Sequence, residues 1–173
     1  MKKIVLLSIM LLCSCFAFSQ ERAENGKGYQ GYVELGYSSS RWMVPDGQLY
    51  ARMQSAHIIN GYRFNPYFYM GAGLGLWAIN WDFLMVPLFL NLRTDFLGNR
   101  KVSPYLSLDL GGVFPVKETD DNAGIINPTL GANIRLSEKY AIHVGVNYCI
   151  LWPRLSELDL RNASLGIKVG FSF

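Results

Sequence analysis

Apolar residues recur at every second position along most of this chain, and this alternation limits its possible folds more than any other feature. In the clearest stretch, residues 140–150, the apolar positions are Tyr140, Ile142, Val144, Val146, Tyr148 and Ile150. The residues between them are Ala141, His143, Gly145, Asn147 and Cys149. Successive side chains of a β-strand point to opposite faces, so a period of two predicts a strand with one apolar face. The final stretch, "NASLGIKVGFSF", alternates in the same way and ends on Phe173.

Eight alternating stretches follow one another, and no helical period separates them. They cover roughly residues 28–37, 51–64, 67–77, 84–96, 103–114, 129–136, 140–150 and 162–173. Short links at 65–66, 97–101 and 137–139 alternate with longer ones such as "SSSRWMVPDGQ" and "PVKETDDNAG". Short turns at one end, longer loops at the other and strands near the length that crosses a bilayer are typical of a membrane barrel. We predict an all-β fold, an eight-stranded antiparallel up-and-down transmembrane β-barrel.

The first 19 residues have the pattern of a secretory signal peptide. Lys2 and Lys3 precede an apolar run, and Ala17-Phe18-Ser19 forms a small-residue cleavage site. We predict cleavage after Ser19, a short periplasmic segment at 20–27 and a barrel at 28–173. Lipoprotein-type cleavage at Cys15, in "LCSC", is the alternative.

Charge and cysteine content exclude several classes of protein. Without the two leader lysines the formal net charge falls from +3 to +1, which gives no basis for binding nucleic acid. Only Cys149 lies in the folded part, so no internal disulfide framework is expected. Charged residues make up 17% of the chain, against about 25% in soluble domains. The surface is therefore expected to be poor in charge.

The residues opposite the aliphatic positions indicate which face of the barrel is inside. A soluble barrel would turn its aliphatic face inward and many charges outward. Here the other face is mostly Gly, Ser, Asn and Thr, with few charges of both signs, which suits a narrow lumen where buried ions are paired. We therefore predict an aliphatic face toward lipid. The predicted lumen polar network consists of Glu34, Arg93, Asp95, Asp109, Arg135, His143 and Lys168.

Aromatic residues at the strand ends favour the same orientation, because girdles of aromatic residues mark membrane interfaces. One predicted girdle, at the short-turn end, contains Tyr29, Phe68, Phe96, Tyr105, Tyr140 and Phe171. The other, at the long-loop end, contains Tyr37, Trp77, Phe83, Phe114, Tyr148 and Trp152.

Two phrases, "HIINGYRFNPYFYMGAGLGLW" and "VPLFLNLRTDFLGNRKVSPYLSLDLGG", resemble the small outer-membrane β-barrel proteins of Bacteroidetes-type bacteria. These are porin-like barrels of the OmpA and OmpX kind. The resemblance covers about residues 28–173 and implies a location in the outer membrane, in contact with its lipid and lipopolysaccharide. Phe171 and Phe173 resemble a C-terminal sorting signal, which implies recognition by the barrel-assembly machinery. Lipid cannot hydrogen-bond to backbone N–H and C=O groups, so an open sheet edge is not allowed in the membrane. The eighth stretch must therefore pair with the first.

No catalytic or cofactor motif stands out. Outer-membrane lipid A acyl hydrolases pair a histidine with a serine, but Gly145 occupies the place two residues after His143 where such a serine would lie. His57 and Ser55 share a strand face by chance, and the two histidines and one thiol lack metal-ligand spacing. We predict no cofactor, no metal and no enzymatic activity. The expected role is structural, surface-interaction or small-ligand binding. The alternatives are a lipid A-modifying acyl hydrolase with His143 as base and a soluble lipocalin-like binder of a lipophile.

Overall fold

A computed structural model describes residues 27–44, 47–80, 83–98, 100–116, 122–137, 139–153 and 163–173. The predicted signal peptide, both of its cleavage sites and nearly all of the segment at 20–27 lie outside these residues. No helix in the described ranges is long and apolar enough to cross a membrane.

The described chain forms one antiparallel sheet that closes on itself. Its strands are β1 (Gly28–Val44), β2 (Gly47–Arg63), β3 (Phe68–Ile79), β4 (Phe83–Asp95), β5 (Val102–Pro115), β6 (Ala123–Arg135), β7 (Ala141–Pro153) and β8 (Ala163–Ser172). Each strand pairs with the next in sequence, and β8 pairs with β1. This confirms the prediction of an eight-stranded antiparallel up-and-down barrel.

The β1–β8 ladder closes the barrel. It runs from Tyr32 opposite Ser172 to Ser40 opposite Ser164. Gly31 and Phe173 add a pair of backbone hydrogen bonds of 2.9 and 3.0 Å beyond the last ladder residue. Closure leaves neither edge of the sheet unpaired along this seam, which is the physical requirement that the final alternating stretch satisfies.

Alternation separates two very different faces. On β3 and β4, exposed residues alternate with buried ones along most of each strand. Leu35 is 62% exposed on the outer face, whereas the adjacent Glu34 is 2% exposed on the inner face. The inner face carries ions, amides and aromatic rings, and the outer face carries Leu, Ile and Val. The aliphatic belt is therefore on the outside of the barrel.

The two ends of the barrel differ less in loop length than the sequence predicts. We call the end with the links 64–67, 96–101 and 136–140 the turn end, and the opposite one the loop end. Residues 38–44 and 47–48 of the predicted long loop are strand, because residues 38–44 pair with residues 47–53 in a continued hairpin. That segment lacks apolar alternation, but its cross-strand hydrogen bonds do not require it.

Strand β6 also begins earlier than predicted, at Ala123 rather than near residue 129. Pro128 obscures the pattern, since proline cannot donate to a ladder and usually argues against a strand. The structure accommodates it by a gap: β6 pairs with β7 at Ile126 and again at Thr129, and not between them.

Three members of the predicted aromatic girdles face the lumen instead, and one of them, Phe83, packs against the buried hydrophobic cluster. Tyr105 is 0% exposed and Trp77 is 1% exposed. Both occupy inward positions in the alternation, where their ring surface packs against other interior side chains. Exposed rings at the turn end are Tyr62, Phe64, Tyr67, Phe68, Phe96, Tyr140 and Phe171. Those at the loop end are Tyr37, Phe114 and Tyr148.

Glycines on the inner face make room for the large interior side chains. A Cβ on Gly71 would overlap the Tyr69 hydroxyl, and one on Gly75 would overlap the His57 ring. At Gly131 an added Cβ would overlap the Val144 carbonyl and lie 2.7 Å from Cε1 of Tyr105. Overlap with backbone leaves no flexible group that can move away.

We expect Gly131→Val to lower the free energy of unfolding by about 1–3 kcal/mol, the usual cost of overpacking a filled interior. The matched control is Ala132→Val on the opposite, outer face of β6, with an expected change within about 0.5 kcal/mol. Urea titration of both folded variants measures the difference. Equal stabilities would contradict the close packing of Tyr105 on β6 and β7.

Candidate functional site

A buried carboxylate, Glu34 of β1, lies at the centre of the barrel interior. Its Oε1 accepts hydrogen bonds from Nη2 of Arg93 at 3.0 Å and from Nε2 of His143 at 2.9 Å. Nζ of Lys168 lies 3.5 Å from its Oε2. These partners come from β4, β7 and β8, so one side chain joins four strands across the lumen.

Asp109 of β5 extends this centre through Lys168. Its Oδ2 accepts from Nζ of Lys168 at 2.7 Å and from Nδ2 of Asn127 at 2.9 Å. Its Oδ1 accepts from Nδ2 of Asn91 at 2.5 Å. Asn147 in turn donates to Oδ1 of Asn127 at 3.0 Å. Two carboxylates thus face one guanidinium and one ammonium, and the formal charges of the centre balance.

Two tyrosine rings hold the Arg93 guanidinium. Its Cζ lies 4.3 Å from the ring centroid of Tyr32 and 4.2 Å from that of Tyr105. Cation–π contacts strengthen when the cation is removed from water, and Arg93 is only 2% exposed. The pair of rings fills the lumen on either side of the guanidinium and fixes the direction in which it donates to Glu34.

A second ion pair lies nearer the turn end. Nη1 of Arg63 donates to Oδ2 of Asp95 at 2.7 Å, and Nε donates to Oε1 of Gln30 at 2.6 Å. Nη2 donates to the Tyr32 hydroxyl at 2.8 Å. Tyr32 therefore contacts both arginines, one through its hydroxyl and the other through its ring. This pair and the Glu34 centre form one continuous interior.

The structure separates the predicted lumen network into three groups. Glu34, Arg93, Asp109, His143 and Lys168 lie together at the centre. Asp95 is buried as well, but its ionic partner is Arg63. Arg135 is half-buried at the turn end, where Nη2 donates to the carbonyl oxygen of Gly98 at 3.2 Å.

Sequence reasoning missed Arg63 altogether. The only available signal was the alternation along β2, where Met53, His57 and Ile59 face inward and Gln54, Ile58 and Asn60 face outward. Both faces of this strand mix apolar and polar residues, so neither could be assigned to the lumen. Arg63 also lies next to the end of the predicted strand, where a charged residue is ordinarily exposed to solvent.

Phe171 and Phe173, the predicted sorting signal, belong to a stack of rings on the outer face. The centroids of Tyr140 and Phe171 are 5.5 Å apart, and those of Phe171 and Phe173 are 6.4 Å apart. The Phe173 ring covers Gly31, where an added Cβ would lie 2.8 Å from two of its ring atoms. The ring stack therefore lies on the β1–β8 and β7–β8 seams.

The loop-end half of the lumen is more apolar and contains a small cavity. Nε1 of Trp77 donates to Nε2 of His57 at 2.6 Å. A cavity of about 10 Å³ beside this pair is also lined by Met53, Asn147, Cys149 and Lys168. That volume is about the room one water molecule needs, so the cavity is too small for an organic ligand.

The geometry around the histidines does not support nucleophilic catalysis. His143 is 0% exposed, its Nε2 contacts Glu34, and its Nδ1 has no partner in the described chain. Nε2 of His57 accepts from Trp77, and its Nδ1 also lacks a partner there. A serine needs a hydrogen-bonded base to become a nucleophile, and neither imidazole is bonded to a hydroxyl.

No group of three or more metal-ligating side chains occurs among the described residues. Cys149 is a buried free thiol. The interior chemistry is therefore that of neutralised ion pairs, amide hydrogen bonds and stacked rings. Such an arrangement can fill and rigidify a lumen.

The fold is that of closed eight-stranded barrels with a polar interior and an apolar exterior. No family model matches the sequence, and no curated protein matches it either. Among solved structures, the chain is similar to Neisserial surface protein A, with 16% identity and a TM-score of 0.63 over 85% of this chain and 97% of that one. The N-terminal β-barrel domain of Pseudomonas aeruginosa OprF gives 14% identity and a TM-score of 0.51 over 85% of this chain and 99% of that one. A de novo designed transmembrane β-barrel gives 15% identity and a TM-score of 0.50 over 88% of this chain and 98% of that one. At these identities the likeness concerns the fold.

We expect Glu34→Gln to lower the free energy of unfolding by about 3–5 kcal/mol, because it leaves two buried cations facing one carboxylate. Adding Lys168→Met removes the excess cation. The double variant should therefore be more stable than the sum of the single effects predicts, by about 0.5–3 kcal/mol. Urea titrations of the wild type, both single variants and the double variant give this coupling. Additive effects would show that charge balance does not stabilise the centre.

Proposed function

We propose that this protein is an integral β-barrel of the bacterial outer membrane, with a non-enzymatic structural or surface-presenting role and a lumen filled by side chains. The observation that carries the proposal is the inversion of polarity between the two faces. The ions are inside, and the aliphatic belt is outside.

The outer surface has the composition that lipid requires. Several aliphatic side chains are more than half exposed around the barrel, among them Leu35, Leu88, Leu90, Leu130, Leu165 and Ile167. Contiguous exposed apolar surface of this kind marks a membrane or protein contact. Arg52, near the loop end, is the one charged side chain that faces outward from the strands, as far as their side chains are described. Aromatic rings exposed at both ends fit the interfacial girdles of membrane barrels.

A soluble lipophile-binding barrel requires the opposite arrangement, with a hollow apolar interior. Here the interior holds Glu34, Arg93, Asp109 and Lys168 in contact with one another. Eight strands leave an interior just wide enough for side chains, and the cavity beside His57 and Trp77 has about the volume of one water. The packed lumen therefore also argues against a role as a diffusion pore.

The β1–β2 hairpin is the element best placed to meet a partner. β1 continues to Val44, past its last pairing with β8 at Ser40. β2 begins at Gly47, before its first pairing with β3 at Met53. The hairpin therefore extends beyond the ladders that the described residues form with β8 and β3. We propose that this hairpin presents the protein's outward surface, while lipid and lipopolysaccharide surround the belt.

The proposed location in the outer membrane also implies how the barrel is assembled. Phe171 and Phe173 are stacked at the seam of the barrel, and we propose that this segment is read by the barrel-assembly machinery after export through the predicted signal peptide. The narrower resemblance to barrels of Bacteroidetes-type bacteria rests on the sequence phrases and stays a prediction.

The membrane assignment is tested by placing an arginine at two depths on the outer face. Leu90, at mid-height on β4, and Leu136, in a turn-end link, are 58% and 59% exposed. In vesicles, Leu90→Arg should destabilise the barrel by about 2–4 kcal/mol, and Leu136→Arg by about 0–1 kcal/mol. Urea unfolding, read by the gel mobility difference between boiled and unboiled samples, gives both values. In a water-soluble barrel both substitutions would change stability by less than about 0.5 kcal/mol.

The filled lumen is tested by conductance. Insertion of the folded wild-type protein into a planar bilayer should add no stable conductance step, because ion pairs and stacked rings occupy the lumen. The mobility shift of the recovered protein on unboiled gels shows that the barrel is folded. A reproducible open level in a sample that passes this control would contradict a permanently filled interior.

A further inference from the structure

The three links at the turn end form one connected surface, which we call the turn platform: the described residues of 64–67, 96–101 and 136–140. The backbone N–H of Asp95, the last residue of β4, donates to the carbonyl oxygen of Tyr67 at 2.7 Å, which ties the first link to the strand end from which the second link starts. The backbone N–H of Arg135, the last residue of β6, donates to the carbonyl oxygen of Lys101 at 2.8 Å, which ties the second link to the strand end from which the third link starts. The platform therefore has a defined shape.

The exposed charges that the structure describes in these links are all positive. Arg100, Lys101 and Lys139 are exposed, and no described residue of the platform is acidic. The carboxylate of Asp95, beside the second link, is buried and bound to Arg63. In the sequence these links contain one acidic residue, Glu138.

The loop end has the opposite balance in sequence. Its links 45–46, 80–82, 116–122 and 154–162 carry the acidic residues Asp46, Asp82, Glu118, Asp120, Asp121, Glu157 and Asp159. Their basic residues are Lys117, Arg154 and Arg161. The links at the two ends thus differ in charge in the sequence, and the excess of basic residues is confined to the turn-end links.

Large apolar side chains lie among these cations. The exposed ones in the platform are Phe64, Tyr67, Phe96, Leu97, Leu136 and Tyr140. Aromatic rings at this position sit at the level of lipid headgroups. The amines and guanidinium beside them are then held at the depth of the phosphates.

We propose that the turn platform binds the anionic phospholipid headgroups of the leaflet next to it. This inference rests on the proposed membrane location. The cations are spread over two connected links instead of converging on one point, which suits a layer of headgroups better than a single bound anion. Their apolar neighbours add a contact with acyl chains that no soluble anion supplies.

The test uses the full-length protein folded into phosphatidylcholine vesicles that contain a trace of spin-labelled lipid. The fraction of immobilised label is compared for phosphatidylglycerol and phosphatidylcholine probes, which gives a relative association constant. The test variant is Arg100→Gln/Lys101→Gln/Lys139→Gln. The matched control is Lys117→Gln/Arg154→Gln/Arg161→Gln, which removes the same charge at the loop end.

A cation near an anionic lipid surface contributes about a fivefold preference. The wild type and the control variant should therefore favour phosphatidylglycerol by about fivefold or more, and the test variant should lose most of this preference. Because the side chains are exposed, the wild-type preference should also fall at about 1 M salt. A preference that excess glycerol phosphate abolishes would indicate a free-anion site and overturn the lipid assignment.

Two further outcomes separate this inference from the proposed function. If the wild type shows the gel mobility shift but no lipid preference, or if the control variant loses as much preference as the test variant, the platform is not a headgroup site and the barrel is still a membrane protein. If the wild type neither inserts nor shifts, the proposed membrane location itself is wrong.

Discussion

The structure depends on how one buried negative charge is compensated. Glu34 cannot be ionised inside the barrel without nearby cations and donors, since an uncompensated buried ion is very costly. Its partners, Arg93, His143 and Lys168, come from three other strands. These contacts are possible only when the sheet is closed, because β1 and β4 meet across the lumen and not along a ladder. Closure of the barrel brings the partners of Glu34 together, and their contacts with Glu34 in turn stabilise the closed barrel.

Glycine determines how so many large side chains fit within eight strands. Gly71, Gly75 and Gly131 lie on the inner face beneath Tyr69, His57 and Tyr105. Gly170 does the same beside His143, where an added Cβ would overlap the imidazole. The aromatic rings and the ionic side chains thus occupy lumen volume that medium-sized side chains would fill if they stood at the glycine positions. The same glycines weaken the apolar pattern of the inner face, which is why that face reads as polar in the sequence.

Alternation was sufficient to predict the barrel, its strand order and the orientation of its faces, because a period of two is a direct consequence of strand geometry. It was insufficient where a strand mixes residue types on both faces. β2 is such a strand, and Arg63 was missed there. Alternation also could not predict which lumen residues pair with one another, such as Asp95 with Arg63, because height along the barrel depends on register. Tyr105, Trp77 and Phe83 were assigned to girdles by height alone, although their positions in the alternation place them inside.

Asp95 connects the interior to the turn platform. Its carboxylate accepts from Arg63 within the lumen, and its backbone N–H donates to the Tyr67 carbonyl in the adjoining link. Nη1 of Arg63 also donates to the carbonyl oxygen of Pro66 at 3.2 Å. The ion pair that fills the turn-end half of the lumen thereby fixes the position of the first link against the second. The exposed cations of the platform therefore lie on links whose positions are fixed by hydrogen bonds from the barrel interior. The ion pair inside the barrel and the charged surface at its end are structurally coupled in this way.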